Sequence, residues 1–248
     1  MHNVSTYIEL CLESSLSPFM GLNQKDKEAI VQHHTVNKIK KGGYLYREGE
    51  KARGVICLVS GKAKIFRTGV AGREHILKML KVNDMTGFQT LFTESIWPDS
   101  AVAIEESIIC TIEKQCLLRI LRNDADLSMK ISKALSEELS YSYDKMVSLS
   151  QKHVRGRLVE SLLMLCKIYG FEADGKTINA RLSRNDIAHL SNMTTSNAIR
   201  TLSNLAAEGN IKIKGKKITI LNFDNLEKHF FCAILLISKS QFFKTKPP

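Results

Sequence analysis

The chain has 248 residues, of which 44% are hydrophobic, and its formal net charge is +11. This length can bury one large core or two medium cores, and we expect two domains. The sequence has no signal peptide, no apolar run long enough to span a bilayer and no C-x-x-C pair, which excludes a secreted, membrane-bound or disulfide-rich protein. We therefore predict a cytoplasmic chain, without membrane contact, whose cysteines are reduced and mostly buried.

The positive charge is concentrated in the second part of the chain. Residues 151–248 hold 16 Lys and Arg against 7 Asp and Glu, which accounts for nine of the eleven excess charges. Binding of DNA phosphates with release of counterions requires such a concentration, whereas a merely solvated surface does not.

The first half of the chain changes in character at about residue 35. Residues 1–35 carry leucines among charged residues and are predicted to be a helical lead-in. From Val36 to about Glu113, short β-rich runs are separated by Gly42, Gly49 and Gly61. Strands at such spacing with turn signals between them predict an antiparallel sandwich or jelly roll.

Residues 124–150 contain neither Gly nor Pro, and their apolar residues recur near a heptad spacing. A helix of this length would extend for about 40 Å, which is more than one small domain covers. We predict that the same helix of a second copy covers it; the alternative is a core helix packed against the β domain. The predicted dimer interface consists of Ile131, Leu135, Leu139, Met146 and Leu149.

After a further helix over residues 153–169, the segment from Ser183 to Leu221 predicts a winged helix-turn-helix. Ser183 and Asp186 have the spacing of a capping box at the start of one helix. Thr194 is placed to cap a second helix, and Gly209 to end it. Isoleucines and lysines then alternate around Gly215 and Lys216, which predicts a two-stranded wing.

The outer face of the second helix is polar, as a DNA-reading helix requires. Arg can hold guanine O6 and N7 together, and Asn can do the same for adenine N6 and N7. The alternative is that any amphipathic helix has polar residues outside. The predicted DNA-binding residues are Thr194, Thr195, Ser196, Asn197 and Arg200 of the helix, with Lys214 and Lys216 of the wing.

The order of a β roll, a long helix and a winged helix-turn-helix resembles the Crp/Fnr family of bacterial transcription regulators, from about Asn23 to Leu221. The matching motifs are Gly42…Glu48-Gly49-Glu50…Gly61, Asn83-Asp84…Gly87…Leu91-Phe92 and Gly156-Arg157. The resemblance implies an α+β chain with a cyclic-nucleotide-binding-like β jelly roll, a long dimerisation helix and a C-terminal winged helix-turn-helix. The implied boundaries are 1–123, 124–150 and 151–229, with a tail of no assigned function at 230–248.

The resemblance also locates an effector pocket. Members that bind cyclic AMP carry a Glu for the ribose soon after the glycine that matches Gly87, and an Arg for the phosphate further on. Here those places hold Phe88 or Gln89, and Asp99. An acid would repel the phosphate, so we predict an effector other than cyclic AMP. The predicted pocket residues are Gly87, Phe88, Gln89, Asp99, Ser142 and Tyr143.

No cofactor is identified and no metal site is predicted. The oxygen sensors of the family hold an iron–sulfur cluster on an amino-terminal cysteine cluster, whereas this chain has only Cys11 there. A haem-dependent gas or nitrosative-stress sensor stays an alternative, with His33, His34 or His75 as axial ligand. A metal-dependent cupin enzyme is a weaker one, since the β region offers only His75.

The predicted function is a homodimeric, sequence-specific transcription regulator that is not an enzyme. Its predicted partners are double-stranded DNA, a second copy of the chain, RNA polymerase and an unknown small-molecule effector. A protein that merely coats DNA is a third possibility, which sequence preference in binding would separate from the first.

Overall fold

The computed structural model describes residues 4–15, 17–93 and 96–231. The chain divides into two compact units, Met1–Lys145 and Met146–Pro248. No helix within the described ranges is long and apolar enough to cross a bilayer. Nearly all of the predicted tail, from residue 232 onward, lies outside the described residues.

Within the part of the chain that the structure describes, two helices precede the first strand. The first, α1, spans Val4–Glu13, and the second, α2, spans Gln24–Gln32. The side-chain oxygen of Asn23 accepts a hydrogen bond from the backbone N–H of Asp26 (2.9 Å). This bond satisfies one of the N–H groups that lack a partner within the helix, and α2 begins there.

Eight antiparallel strands form the roll within the described residues of the first unit. They are β1 (His34–Ile39), β2 (Tyr44–Tyr46), β3 (Gly54–Ser60), β4 (Ala63–Thr68), β5 (Glu74–Leu80), β6 (Met85–Thr86), β7 (Ser100–Ala103) and β8 (Ser107–Glu113). Two four-stranded sheets result, in the orders β1-β8-β3-β6 and β2-β7-β4-β5. A short helix, α3 (Phe88–Leu91), follows β6. The predicted two-sheet antiparallel architecture is confirmed.

Both faces of β3 are buried, which explains why the run from Val55 to Val59 is apolar without alternation. Ile56 and Leu58 lie in a core between the two sheets, which we call the inner core. Val55, Cys57 and Val59 lie in a second core, the outer core, where helices cover the sheet β1-β8-β3-β6. Successive side chains of a strand point to opposite faces, so β3 contributes to both cores.

The prediction that all cysteines are reduced is wrong for two of them. The structure joins Cys11 of α1 and Cys57 of β3 in a disulfide. A pairing across 46 residues brings together a helix and a strand that no local sequence pattern relates. The other described cysteines, Cys110, Cys116 and Cys166, are free and buried, as expected.

Two consecutive helices follow the roll: α4 (Lys114–Asn123) and α5 (Ala125–Gln151). The long helix of 27 residues lies within one residue of its predicted bounds. Ile131 is only 1% exposed, because it packs into the outer core of its own chain. Its predicted place in the dimer interface is therefore wrong, while Leu139 and Met146 are 52% and 65% exposed.

The second unit contains the remaining elements. They are α6 (Val154–Tyr169), α7 (Arg184–Leu190), α8 (Thr195–Ala207), β9 (Ile211–Lys214), β10 (Lys217–Ile220) and α9 (Phe223–Phe231). Three helices and a two-stranded antiparallel hairpin in this order form a winged helix-turn-helix, which confirms the predicted architecture. The core of the unit draws on every element: Leu158, Leu162, Ile187, Ala188, Ala198, Leu202, Leu205, Ile211, Ile218 and Leu226 are buried.

Candidate nucleic-acid interface

Helix α7 begins with the predicted capping box. The hydroxyl oxygen of Ser183 accepts a hydrogen bond from the backbone N–H of Asp186 (3.0 Å), and the Asp186 carboxylate accepts one from the Ser183 N–H (3.1 Å). Two of the unsatisfied N–H groups at the helix start are thereby paired, which fixes where α7 begins. Its apolar face, Ile187 and Leu190, is buried as expected.

The turn between α7 and α8 is held from outside by Arg157 of α6. Its guanidinium donates hydrogen bonds to the carbonyl oxygens of Ser191 (3.1 Å), Asn192 (3.2 Å) and Lys152 (2.9 Å). Three bonds from one planar group tie the turn to the start of α6. From the sequence, Arg157 is recognisable only as part of the Gly156-Arg157 motif, because its partners in the turn are backbone atoms 34 and 35 residues away.

Helix α8 begins at its predicted cap, since the Thr194 hydroxyl accepts a hydrogen bond from the Asn197 N–H (3.3 Å). Ser196 and Arg200 are exposed one turn apart on the same side. The Arg200 guanidinium donates to the Asn197 side-chain oxygen (2.9 Å), and the Thr195 hydroxyl donates to Asn185 of α7 (3.0 Å). Thr194, Ser196 and Arg200 are thus exposed, whereas Thr195 and Asn197 are half-buried and hydrogen-bonded to neighbouring side chains.

The wing is a hairpin with a two-residue turn, Gly215 and Lys216, and Lys214 pairs with Lys217 on either side of it. Lys214 and Lys216 are exposed, as their predicted contact with phosphate requires. Lys217 differs, because it is half-buried and its ammonium donates to the Glu172 carboxylate (2.6 Å). Arg184 at the start of α7 donates to the Gly215 carbonyl oxygen (2.8 Å) and so ties the wing tip to the helix-turn-helix.

The residues of the predicted effector pocket lie in the first unit, where Trp97 packs closely against Gly87. Gly87 begins α3 with φ 101°, and a Cβ added to it would lie 2.7 Å from the Trp97 ring. Trp97 in turn stacks on Tyr46, with ring centroids 3.7 Å apart. The indole therefore occupies the space beside Gly87 that a bulkier residue there would need.

Asp99 is buried beside these rings. The Tyr46 hydroxyl donates a hydrogen bond to its carboxylate (2.9 Å) and lies 3.4 Å from the Thr86 hydroxyl. Burial raises the pKa of the Asp99 carboxyl, and the bond from Tyr46 only partly opposes that. Burial, and next the charge of Asp99, raises the pKa of the Tyr46 hydroxyl as well. Hence this region holds a buried acid where the family resemblance led us to look for a cation.

The other predicted pocket residues do not join this group. Phe88 is buried in the outer core, where its ring lies 6.5 Å from that of Phe19, so its predicted place in the pocket is wrong. Ser142 and Tyr143 are exposed on α5, and the Ser142 hydroxyl bonds to the Glu138 carbonyl oxygen of the same helix (2.9 Å). Gln89, at the second position of α3, is half-buried.

The candidate haem and metal ligands are dispersed. His33 follows the last residue of α2 and His34 begins β1 in one sheet, whereas His75 lies on β5 in the other. Across the described ranges, no three His, Cys, Asp or Glu side chains are arranged to hold a metal ion. The alternatives that need clustered ligands thus gain no support from the arrangement of these residues.

Two family models match the chain. The model described as the cyclic nucleotide-binding domain matches residues 36–124, and that of the Crp-like helix-turn-helix domain matches residues 156–229. The first range covers the roll with α3 and α4, and the second covers nearly all of the winged helix-turn-helix.

This chain aligns with relatives of assigned function over most of their length. A "CRP-like cAMP-activated global transcriptional regulator" of Mycobacterium tuberculosis is 24% identical over 211 residues, which is 85% of this chain and 94% of the relative. The "Transcriptional activator protein anr" of Pseudomonas aeruginosa is 26% identical over 231 residues, 90% of this chain and 91% of the relative. The solved structure of FixK2 from Bradyrhizobium japonicum has the same fold, with a TM-score of 0.69 and 23% identity over 79% of this chain and 96% of that one.

Proposed function

The chain belongs to the Crp/Fnr family of DNA-binding transcription regulators, which are not enzymes, and from this premise we propose that it is a homodimeric, sequence-specific regulator whose effector is not cyclic AMP. In this proposal residues 1–123 sense the effector, 124–150 dimerise and 151–229 bind DNA. RNA polymerase is the further partner that a regulator of this family is expected to contact.

The main support for DNA binding is that the exposed side of α8 belongs to a helix whose start is fixed by hydrogen bonds. Arg157 holds the turn before α8, and the Thr194 cap sets where the helix begins. Ser196 and Arg200 therefore project from a rigid support, as a helix that enters the major groove requires. Thr194, Thr195 and Asn197 complete the reading surface.

Phosphate contact is assigned to the wing. Lys214 and Lys216 are exposed at its tip, whereas the ammonium of Lys217 is already paired with Glu172. Exposed ammonium groups bind phosphate as point charges and carry no sequence information. The wing thus positions the protein on DNA, and α8 reads the bases.

Dimerisation is assigned to α5. Leu139 and Met146 are exposed seven residues apart, which places both on one face of the helix, and Leu135 and Leu149 on the same face are half-buried. An apolar face of this kind on a helix of 27 residues is typical of a seam that a second helix covers. Recognition helices of a two-fold dimer enter successive major grooves, so the expected operator is a pseudo-palindrome.

An effector other than cyclic AMP is favoured by the side chains around Gly87. The Trp97 ring already fills the space next to this glycine, and Asp99 is a buried acid. A cyclic phosphate brought here would meet a carboxyl group instead of a bidentate cation.

Selection of binding sites from a randomised DNA pool, followed by footprinting on the selected site, tests the proposal. We expect a two-fold symmetric site with half-sites about one helical turn apart, unchanged by added cyclic AMP. Lys228→Ala, which removes an exposed charge on α9 outside the reading surface, is the matched control for Arg200→Ala and should keep the wild-type site. Binding with salt dependence but without base preference would overturn the regulator assignment in favour of a DNA-coating protein.

A further inference from the structure

The disulfide between Cys11 and Cys57 connects two elements of the outer core. Cys11 lies on the inner side of α1 with Ile8 and Leu12, and Cys57 lies in the middle of β3. Neither cysteine has any exposed surface, and their Cα atoms are 6.6 Å apart. That separation lies within the range that a disulfide can bridge without backbone movement.

Two further cysteines lie in the same core. Cys110 of β8 is the direct cross-strand neighbour of Cys57, and Cys116 lies on α4. Burial raises the pKa of the Cys110 thiol to about 12, so it stays protonated near neutral pH. A protonated thiol is a poor nucleophile, so Cys110 is inert while it is buried, and the same holds for Cys11 and Cys57 until α1 moves away from β3.

The outer core also anchors the start of the long helix. Leu127 and Ile131 of α5 are buried in it, and Leu135 packs against it from the next turn. The disulfide ties α1 to β3 within this same set of side chains. Helix α1 and the first turns of α5 therefore contribute side chains to one hydrophobic core.

We propose that Cys11 and Cys57 form a reversible dithiol–disulfide pair, a redox modification site whose state changes operator affinity through the outer core and the base of α5. This rests on the proposed function only for its DNA-binding readout. Disulfides of proteins in a reducing compartment are usually catalytic or redox-sensing, and the cytoplasmic location expected from the sequence would put this bond in that class.

The chemistry needs a two-electron oxidant of the peroxide class. One cysteine, as thiolate, attacks a peroxide oxygen to give a sulfenic acid, and one water is released when the peroxide is hydrogen peroxide. The second thiol then attacks the sulfenic sulfur, closes the S–S bond and releases a second water. Two thiols are oxidised and one peroxide is reduced, and a dithiol reductant reverses the change.

Access to the buried pair requires α1 to move away from β3. Elements held by few side chains open locally at a lower free energy than the whole fold. The reduced α1 is such an element, because its described buried side chains are those of Ile8, Cys11 and Leu12. Oxidation closes the bond when α1 returns, and then resists further opening by joining it covalently to the roll.

The first test measures the bond. Full-length protein is reduced with dithiothreitol, then treated with hydrogen peroxide, and peptide mass spectrometry identifies the linked cysteines. We expect a Cys11–Cys57 peptide, loss of two free thiols without crosslinked dimers, and full recovery on reduction. Oxidised protein should melt about 5 °C or more above reduced protein. Absence of the linked peptide, or a bond that dithiothreitol leaves intact in the folded chain, would overturn the proposal.

The second test measures regulation. The affinity for the selected operator should differ about fivefold or more between oxidised and reduced wild type. Cys11→Ser and Cys57→Ser should abolish the difference, whereas Cys166→Ser, which changes a buried free thiol in the second unit, should keep it. Equal affinities in both states of the wild type would refute redox control of operator binding while leaving the DNA-binding assignment intact. If neither state prefers any sequence, the proposed function fails, and the linked peptide and melting shift still decide whether the pair is redox-active.

Discussion

The Arg200 guanidinium donates a hydrogen bond to the side-chain oxygen of Asn197, one turn earlier on α8. The bond holds the long arginine side chain along the polar face of the helix, beside Ser196. A side chain that is already oriented loses less conformational entropy when it binds a base edge. Asn197 therefore positions Arg200 in addition to any contact of its own.

Replacing Arg200 by Ala should cost about 1–3 kcal/mol in binding to the preferred operator and relax the preference at one base pair per half-site. Asn197→Ala should weaken the same preference by releasing Arg200. Competition over a randomised operator measures both. Arg200→Lys is the control that keeps the charge without the bidentate geometry, and if it retains the full wild-type preference, Arg200 contacts only phosphate.

Lys214→Ala and Lys216→Ala should each weaken binding to all sequences alike. The slope of log affinity against log salt should fall by about one per lysine per subunit, because one counterion fewer is released from the DNA. Lys217→Ala is the matched control on the same wing, and its slope should change less, since its ammonium already pairs with Glu172. Equal slopes for all three variants would contradict the assigned division of roles.

Leu139→Glu together with Met146→Glu should give a folded monomer with weak operator binding. The two carboxylates would be buried without partners if the α5 faces still met, and the cost of that burial opposes dimerisation. Sedimentation measures the mass, and circular dichroism the helix content. Ile131→Ala provides the contrast: it should lower the melting temperature by opening a cavity in the outer core, yet leave the dimer formed at low temperature. A dimer that survives the double substitution places the interface elsewhere.

Asp99→Asn should raise the melting temperature at neutral pH. Burial raises the pKa of this carboxyl in the folded chain, so the folded state binds the proton more tightly than the unfolded state. The stabilisation that this tighter proton binding gives the folded wild type is complete below the ordinary aspartate pKa of about 3.9. It is lost as the pH rises through the raised pKa of Asp99. The advantage of the Asp99→Asn variant over the wild type should therefore shrink as the pH falls toward that range, in melts followed by circular dichroism.

Asp174→Asn is the control of opposite sign. Hydrogen bonds from the Thr177 hydroxyl and backbone lower the pKa of Asp174 to about 2. Its contribution is present above the ordinary aspartate pKa and disappears as the pH falls through about 2. The substitution should thus lower the melting temperature at neutral pH, and a shift in the same direction as Asp99→Asn would contradict the assigned cause.

Features set by neighbouring residues could be predicted from the sequence. The caps at Ser183 and Thr194 use bonds to residues three positions away, and both are present. The hairpin around Gly215 follows from alternation and a turn residue. These signals are local, so a linear pattern contains them in full.

Features set by contacts between distant segments could not. Heptad spacing places Ile131 on the apolar face of the helix but does not show whether its own chain or a second copy covers that face. The indole of Trp97 against Gly87 and the bond between Cys11 and Cys57 depend on how the roll closes. The motif match predicts Phe88 in the effector pocket, whereas its burial in the outer core depends on how α3 packs against the roll.

Strand β3 imposes an unusual evolutionary constraint on the first unit. Since Ile56 and Leu58 belong to one core and Val55, Cys57 and Val59 to the other, no position in this run is free to become polar. A substitution that changes side-chain volume at Ile56 or Leu58 must be matched by a change in the facing sheet. A substitution at Val55, Cys57 or Val59 must be matched by a change in the helices that cover the outer face. A set of orthologues should therefore split the covariation of this one strand into two independent groups that alternate residue by residue.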